Sequence, residues 1–283
     1  MEKKKSYFVE QLEYELVLRN YSPRTIITYG ELLSKLENSL QLPVDKITIN
    51  QFKDYLHKRI TVDGVSTSTV NQLIGVYKIV QVDILKRDWE TIKVKRPRRT
   101  KKLPVVLSKQ EVQALINTTA NIKHKAILML AYSAGLRLNE ILHIKPSAID
   151  SARMQVHVVQ GKGKKDRYTI LSGKALDILR QYYKLVRPAR YLFEPQGHKG
   201  EHLSENTLNS IIKASAAKAG LKKQISFHTL RHCFATHLLE NGVNLRLIQQ
   251  FLGHTSLKTT AIYLHLANIE IASVVSPLDN MDV

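Results

Sequence analysis

A strongly basic, proline-containing segment constrains the fold of this chain more than any other feature. Residues 93–104 read KVKRPRRTKKLP, in which seven of twelve residues are Lys or Arg, two are Pro and none is acidic. Such a composition indicates an extended linker rather than part of a folded core. The 283-residue chain is therefore predicted to form two domains, at residues 1–92 and 105–283.

The charge balance and the apolar pattern limit the partners and compartments of the chain. The 43 Lys and Arg residues outnumber the 24 Asp and Glu residues by 19, which favours a polyanionic partner such as double-stranded DNA over a membrane surface. No apolar run reaches 18 residues, and the start MEKKK is not followed by the apolar stretch of a signal peptide. The single Cys233 excludes an intramolecular disulfide. We therefore expect a cytoplasmic, nucleoid-associated protein.

Residues 1–92 carry the pattern of a small bundle of four helices. The first helix is predicted at about residues 5–19. Ser22 and Pro23 suit the N-cap and first position of the second helix. The apolar residues of this second helix recur at helical spacing: Ile26, Ile27, Leu32, Leu33 and Leu36. The remaining two helices are predicted at residues 48–60 and 66–87.

The second domain is predicted to be mostly helical with a small sheet at its edge. Ser108 and Glu111 form a capping box that opens a helix at about residues 109–118, and Gly135 suits the residue that ends the next helix, at 122–134. Two strands are predicted at residues 154–160 and 167–171, with a hairpin loop at 161–166. Helices follow at about residues 173–186, 205–219, 229–241, 245–252 and 256–264.

The last quarter of the chain contains residues suited to chemistry at a phosphodiester. The sequence HTLRH (228–232) is followed by LGH (252–254) and Tyr263. Phosphoryl transfer without a metal needs fixed cations at the non-bridging oxygens, a proton donor for the leaving oxygen and a nucleophile. Arg231 is one candidate cation. Arg137 is the second, and Glu140 lies three residues further on, where it can orient Arg137.

The spacing of His254 and Tyr263 requires a break in the helix. Nine residues of straight helix would separate them by roughly 13 Å. Gly253 interrupts the run and Ser256 can cap a new helix, so that the chain can turn Tyr263 back towards His254. A phenol has a pKa near 10, and it needs a base or nearby cations to act as a nucleophile.

The predicted hairpin loop offers a candidate general acid. Lys162 lies between two glycines in GKGKKD, but Lys164 and Lys165 are equally cationic, and the pattern alone does not choose among the three. The alternative role for all of them is contact with the DNA backbone.

The histidines allow a competing prediction, a metal site. His228 and His232 are spaced i, i+4, but position 229 is Thr where an HExxH motif has Glu, and there is no CxxC pair with Cys233. We therefore predict no metal site, and expect His237 and His265 to be packed or capping residues.

The chain resembles the tyrosine site-specific recombinases, especially the Xer type and related phage integrases. Four motifs carry this resemblance, in this order: GLRLNE with Arg137, GKGKKDR with Lys162, HTLRHCFATH and FLGHTSLKTTAIY. The resemblance extends to the helical bundle and the basic linker, and so covers essentially the whole chain. It implies a core-binding (SAM-like) N-terminal bundle and a mostly helical catalytic domain. The lack of a long N-terminal extension and the short stretch from 172 to 227 favour a simple Xer-like enzyme.

The resemblance also implies the role of each site residue. Tyr263 would attack the scissile phosphate and form a 3′-phosphotyrosyl link, with Arg137, Arg231 and His254 on the non-bridging oxygens. His228 would act as base and Lys162 as acid, with Glu140 and His232 in support. Neither ATP nor a metal would be needed. DNA contacts would come from the linker and the hairpin loop: Lys93, Lys95, Arg96, Arg98, Arg99, Lys101, Lys102, Lys164 and Lys165.

Members of this family act as four protomers on two duplexes and exchange strands through a Holliday junction. The apolar tail at residues 264–275 is accordingly expected to dock on a neighbouring protomer, in a homo-tetramer or with a second recombinase, although docking on its own domain is the alternative. Two other functions are compatible with the same residues. One is strand cutting and resealing like a type IB topoisomerase, and the other is a non-catalytic DNA-binding regulator.

Overall fold

The computed structural model describes residues 5–89, 94–97, 103–159 and 166–267. The chain divides into two compact units at the boundary between Lys101 and Lys102. Half of the predicted linker, most of the hairpin loop and the tail from residue 268 lie outside the described residues, so the predicted domain limits stay predictions. Each unit is considered by itself below.

In the part of the first unit that the structure describes, the α-helices that form the bundle are α1 (Tyr7–Leu18), α2 (Pro23–Leu40), α3 (Ile49–Thr61) and α4 (Thr67–Ile79). A hydroxyl side chain caps each N-terminus by accepting a backbone N–H, and the four caps are Ser6, Ser22, Thr48 and Ser66. The apolar faces pack into one core, in which Phe52 and Tyr77 stack with their ring centroids 3.8 Å apart. The predicted helical bundle is thus confirmed.

Two details of the first unit differ from the sequence prediction. The last helix does not run evenly to residue 87, because Val80–Ile84 forms a π-helical turn. In α2, Leu32, Leu33 and Leu36 are buried as expected, but Ile27 is 59% exposed. Ile27 and Ile26 are adjacent and point about 100° apart around the helix, so both cannot face the same core.

The second unit contains eight α-helices and three short strands in its described part. The helices are α5 (Lys109–Asn117), α6 (Ile122–Ala134), α7 (Leu138–His143), α8 (Gly173–Val186), α9 (Glu205–Lys218), α10 (Phe227–Glu240), α11 (Leu245–Leu252) and α12 (Leu257–Thr260). The strands are β1 (Ile149–Asp150), β2 (Gln155–Val158) and β3 (Arg167–Ile170). None of the helices in the described residues is long and apolar enough to cross a membrane.

The three strands form one antiparallel sheet in the order β1-β2-β3, with Val158 opposite Arg167 at the end nearest the hairpin loop. The sequence analysis predicted two strands and missed β1. A strand of two residues is too short to show an alternating pattern.

The end of the described chain also differs from the prediction. A single helix was expected at residues 256–264, but α12 ends at Thr260 and a 3₁₀-helix follows at Ala261–His265. The tighter 3₁₀ winding is common at the ends of helices. It turns the Tyr263 side chain into a small apolar core with Phe234, Ile248 and Leu252.

The start of the second unit is tied to α10 by polar contacts. The backbone N–H of Leu107 donates to Cys233 Sγ (3.2 Å), and the Leu107 carbonyl lies 3.0 Å from His237 Nε2. The other ring nitrogen of His237 lies 2.8 Å from the Tyr132 hydroxyl. His237 is therefore a packed histidine, as expected, whereas His265 is exposed.

Candidate active site

Arg137 lies at the N-terminus of α7, directly after the turn that ends α6. Gly135 ends α6 with φ +59°, a conformation that glycine adopts without strain. Glu140 accepts the Arg137 backbone N–H (2.7 Å) and its Nη1 (2.8 Å). The pairing proposed from the three-residue spacing is therefore present. It holds the guanidinium against its own helix.

Arg231 is buried in the middle of α10 and is only 2% exposed. Its Nη1 donates to the Gly135 carbonyl (2.6 Å), and its Nη2 donates to the Leu252 carbonyl. Burial and the charge of Arg137 lower the pKa of Arg231 to about 9. Arg231 therefore remains a cation at neutral pH, in a position that two backbone carbonyls determine.

The two arginines meet at the C-terminus of α11. The Leu252 carbonyl that accepts from Arg231 also accepts from Arg137 Nη2 (3.1 Å). The last carbonyls of a helix lack partners within the helix and carry the negative end of its dipole, so they are natural sites for cations. Gly253 ends α11 with φ +60° and turns the chain away from these carbonyls.

His254 follows this turn and contacts Arg231. Its Nε2 lies 3.3 Å from Arg231 Nη2, and its Nδ1 lies 2.9 Å from Thr260 Oγ1. Burial and the positive charge of Arg231 lower the pKa of His254 to about 3. The ring is therefore neutral at neutral pH, and the Thr260 hydroxyl fixes its orientation.

Tyr263 is fully buried, with 1% of its surface exposed. Its hydroxyl lies 3.0 Å from Nδ1 of His232. Burial raises the pKa of Tyr263, whereas the charges of Arg231 and Arg137 act in the opposite direction. The sequence analysis expected a turn at Gly253 and an N-cap at Ser256, and both are present. After them, Tyr263 lies where the charges of Arg231 and Arg137 act on it.

The two histidines of HTLRH occupy different environments. His228, one helical turn before His232, is exposed, and the two ring centroids are 5.3 Å apart. Burial and the neighbouring His228 lower the pKa of His232 to about 4, so that its ring is neutral when it contacts Tyr263. His232, rather than the expected base His228, is the histidine that contacts the phenol. Within the described ranges, no three His, Cys, Asp or Glu residues cluster as metal ligands would.

Comparison with known proteins identifies the family. Residues 105–270 match the model of the phage integrase family, and residues 8–91 match that of the phage integrase N-terminal SAM-like domain. The chain belongs to the phage integrase family. It is a tyrosine recombinase, an enzyme of site-specific DNA recombination.

The relatives of this recombinase match along most of their length. A putative integrase/recombinase y4qK of Sinorhizobium fredii is 35% identical and covers 95% of the chain and 88% of the relative. Tyrosine recombinase XerD of Staphylococcus saprophyticus is 31% identical, with coverage of 93% and 94%. The solved structure of XerH bound to palindromic difH substrate has a TM-score of 0.69 at 24% identity, with coverage of 92% and 82%. This last likeness concerns the fold.

Arg167 of the recombinase was missed by the sequence analysis. It begins β3, where it was assigned only to a strand. Its side chain, 6% exposed, binds both carboxylate oxygens of Glu140 at 2.6 and 2.7 Å. Burial alone would raise the pKa of Glu140, but Arg167 and Arg137 lower it to about 2. The sequence feature that could have identified Arg167 was a charged residue at the end of a strand, next to a basic loop.

A cleft of about 730 Å³ opens beside Arg137 in the recombinase and was also missed. Basic and aromatic side chains contribute to its lining, among them His143, Lys145, His157, Arg190 and Tyr191. Glu194 accepts the backbone N–H groups of Arg190 (2.7 Å) and Tyr191 (3.0 Å), which fixes their loop. These residues come from segments far apart in sequence, so no motif connects them.

The remaining predicted residues fall into two groups. Lys95 and Arg96 are exposed in the described part of the linker. The others lie outside the described residues: Lys93, Arg98, Arg99, Lys101, Lys102, Lys162, Lys164 and Lys165.

Proposed function

We propose that this recombinase cuts and rejoins double-stranded DNA through a 3′-phosphotyrosyl intermediate formed by Tyr263. One observation carries the proposal: Arg137 and Arg231 share the Leu252 carbonyl, and both charges act on the Tyr263 phenol. A phosphodiester placed against these two guanidinium groups would lie beside the Tyr263 oxygen. DNA as substrate is also supported by the DNA complex of the structurally similar XerH.

The reaction breaks one bond as it forms another. The Tyr263 oxygen attacks the scissile phosphorus, and the bond from phosphorus to the 5′-oxygen breaks. The phenol proton passes to a base, for which we propose His228, and the leaving 5′-oxygen takes a proton from Lys162. The new phosphodiester conserves the bond energy, so that a 5′-hydroxyl can reverse the reaction without ATP.

The arginines and His254 stabilise the charge of the transition state. Negative charge accumulates on the non-bridging oxygens, and guanidinium groups held in place beforehand need no reorganisation during the reaction. Arg137 and Arg231 supply the two cations. His254 is neutral, and its Nδ1 would accept from the Thr260 hydroxyl, so that Nε2 would carry the proton and donate a hydrogen bond to the same phosphate.

For the complete reaction, we propose four protomers on two duplexes that exchange strands in pairs through a Holliday junction. The apolar tail from residue 264 would dock on a neighbouring protomer, and the second partner is either another copy of this chain or a related recombinase. The basic residues of the linker and of the hairpin loop would contact the DNA backbone. Arg190 and Lys145, which line the cleft beside Arg137, would also contact the DNA backbone.

The test is covalent capture on DNA. Duplexes that bind the protein are selected from a random-sequence library, and the recovered site is prepared as a nicked suicide substrate. It is incubated with the protein in the presence of EDTA and without ATP. The expected result is a protein–DNA adduct that survives SDS, with its link at Tyr263 on peptide mapping. Tyr263→Phe should bind the same DNA and form no adduct.

Three outcomes would contradict the proposal, the last of them only its tetramer. An adduct that persists in Tyr263→Phe would show that another residue is the nucleophile. Tight binding with no adduct from the parent protein would favour a DNA-binding regulator. Adducts that reseal on one duplex but never join two duplexes would indicate chemistry like that of a type IB topoisomerase, and would remove the tetramer from the proposal.

A further inference from the structure

Glu140 stands between two arginines. Its Oε1 accepts from Arg137 Nη1 (2.8 Å) and Arg167 Nη1 (2.6 Å), and its Oε2 accepts from the Arg137 backbone N–H and Arg167 Nη2, both at 2.7 Å. Each carboxylate oxygen therefore receives one bond from each arginine. A carboxylate held in this way cannot rotate without breaking bonds to both partners.

Arg167 is also bound to the end of α11. Its Nε donates to the Phe251 carbonyl (2.8 Å), the residue before the Leu252 carbonyl that Arg137 and Arg231 share. Gly253 packs on the stem of the side chain, since a Cβ placed at Gly253 would lie 2.7 Å from Arg167 Cδ. Arg167 thus connects the sheet, Glu140 and the turn before His254.

Arg167 differs from Arg137 and Arg231, the two candidates for phosphate binding, in the groups that its guanidinium contacts. Burial raises the pKa of Tyr263, and among the residues that the structure describes Arg231 and Arg137 are the cations whose charges oppose this rise. The guanidinium of Arg167 faces Glu140 and the helix end instead. Its geometry suits support of another residue and not contact with the reacting phosphate.

We propose that Arg167 is a positioning residue of strand cleavage. By binding both oxygens of Glu140 and the end of α11, it holds the Arg137 guanidinium where the scissile phosphate binds. Without Arg167, Glu140 can turn with Arg137, and the cation moves off the non-bridging oxygens. The proposal rests on the proposed function, because it assumes that Arg137 neutralises the phosphate.

The test uses two versions of the captured DNA site, one with the normal scissile phosphodiester and one with a methylphosphonate. The methyl group removes the negative charge that the arginines neutralise. On the phosphodiester, Arg137→Ala should slow adduct formation about 100-fold and Arg167→Met about 10- to 100-fold. On the methylphosphonate, both variants should come within about threefold of the parent. Arg153→Met, at an exposed arginine, is the matched control and should match the parent on both.

Recovery of the cleavage rate on the methylphosphonate distinguishes a positioning role of Arg167 from a general structural defect. If Arg167→Met is slowed equally on both substrates, or is not slowed at all, the proposed role of Arg167 is wrong. If Arg137→Ala cleaves the phosphodiester like the parent, or the parent forms no adduct, the proposed function itself fails, whatever Arg167 does.

A second variant covers the case in which Arg167→Met does not fold, as judged by circular dichroism and DNA affinity. Arg167→Lys keeps the positive charge but cannot bind both oxygens of Glu140 in the same plane. On the phosphodiester, Arg167→Lys should slow adduct formation less than Arg167→Met does. On the methylphosphonate, its rate should again come close to that of the parent. A lysine variant with the parental rate on the phosphodiester would show that paired binding of Glu140 is unnecessary, and would overturn the proposal.

Discussion

The hydroxyl of Tyr263 lies 3.0 Å from Nδ1 of His232, inside a small apolar core that leaves the phenol 1% exposed. His232 lies one turn after the proposed base His228 on α10. The proposed nucleophile is therefore in contact with a neutral histidine. This contact is made by His232, to which the sequence analysis assigned only a supporting role.

We expect substitutions of His228 and His232 to have different effects on the accessibility of Tyr263 and on the rate of adduct formation. His232→Leu should expose Tyr263 to nitration by tetranitromethane without DNA, and slow adduct formation less than about tenfold. His228→Ala should leave nitration unchanged and slow adduct formation about 100-fold, as expected for loss of a general base. Nitration at Tyr263 is read by mass spectrometry of the isolated peptide.

His232→Asn is the conservative control for this pair, because its amide can reach the position of Nδ1 and should restore protection of Tyr263. A loss of cleavage in His232→Leu as large as that in His228→Ala would identify His232 as the base.

Gly135→Ala should destabilise the catalytic unit strongly. The residue has φ +59°, and an added Cβ would lie 2.3 Å from Cδ1 of the Phe234 ring. A side chain at positive φ costs about 1 kcal/mol of folding stability. Overpacking of this kind costs about 1–3 kcal/mol more. The Gly135 carbonyl also accepts from Arg231, so cleavage should fall as well.

The matched control is Gly220→Ala, with φ +66° and no atom within 4 Å of the added Cβ. It should lower the free energy of unfolding in urea by only about 1 kcal/mol. Equal losses in the two variants would show that the space around Gly135 is not restrictive.

Stability should fall on mild acidification. The folded pKa of His232 is lowered to about 4 and that of His254 to about 3, from an ordinary value near 6.5. Between these values the unfolded chain binds protons that the folded chain excludes, so the free energy of unfolding decreases as pH falls. Each histidine contributes a slope of up to about 1.4 kcal/mol per pH unit in this window.

Urea unfolding at a series of pH values from 7 to 4 measures this slope. His232→Asn should reduce it by the contribution of one proton. His198→Asn, at an exposed position, is the control for the same substitution outside the site. A parent protein equally stable at pH 7 and pH 5 would contradict the neutral state assigned to both buried rings.

The salt dependence of DNA binding should show whether basic residues of the linker contact DNA phosphates. If Lys95 and Arg96 contact phosphates, their joint replacement by Ala should reduce the magnitude of the slope of log K against log salt by about 1.8. The measurement is fluorescence anisotropy on the selected duplex at several salt concentrations. Replacement of the exposed Lys35 and Lys184 is the control for net charge alone. Equal slopes for both double variants would exclude phosphate contacts by the linker pair.

Local sequence rules were sufficient for most helices of this protein. Ser108 accepts from the Glu111 backbone N–H and Glu111 accepts in return, as the capping box predicted. Helix α6 ends at Ala134 and is capped by Gly135, as its glycine predicted. These signals depend on residues within one turn of each other, so they do not need the rest of the fold. The two-residue strand β1 and the 3₁₀ winding around Tyr263 depend on packing against other segments, and were not predicted.

The sequence by itself determined the family and the helical architecture, and it indicated the candidate site residues, because each of these is encoded in short motifs. Only the tertiary structure decided how these residues support one another. Arg167 and Glu140 are 27 residues apart, and the carbonyls that bind the three arginines belong to α11 and the turns after α6 and α11. A backbone carbonyl is present at every residue, so its use as a cation ligand leaves no mark on the sequence. Burial decides which charges must pair, and burial arises only when the helices pack.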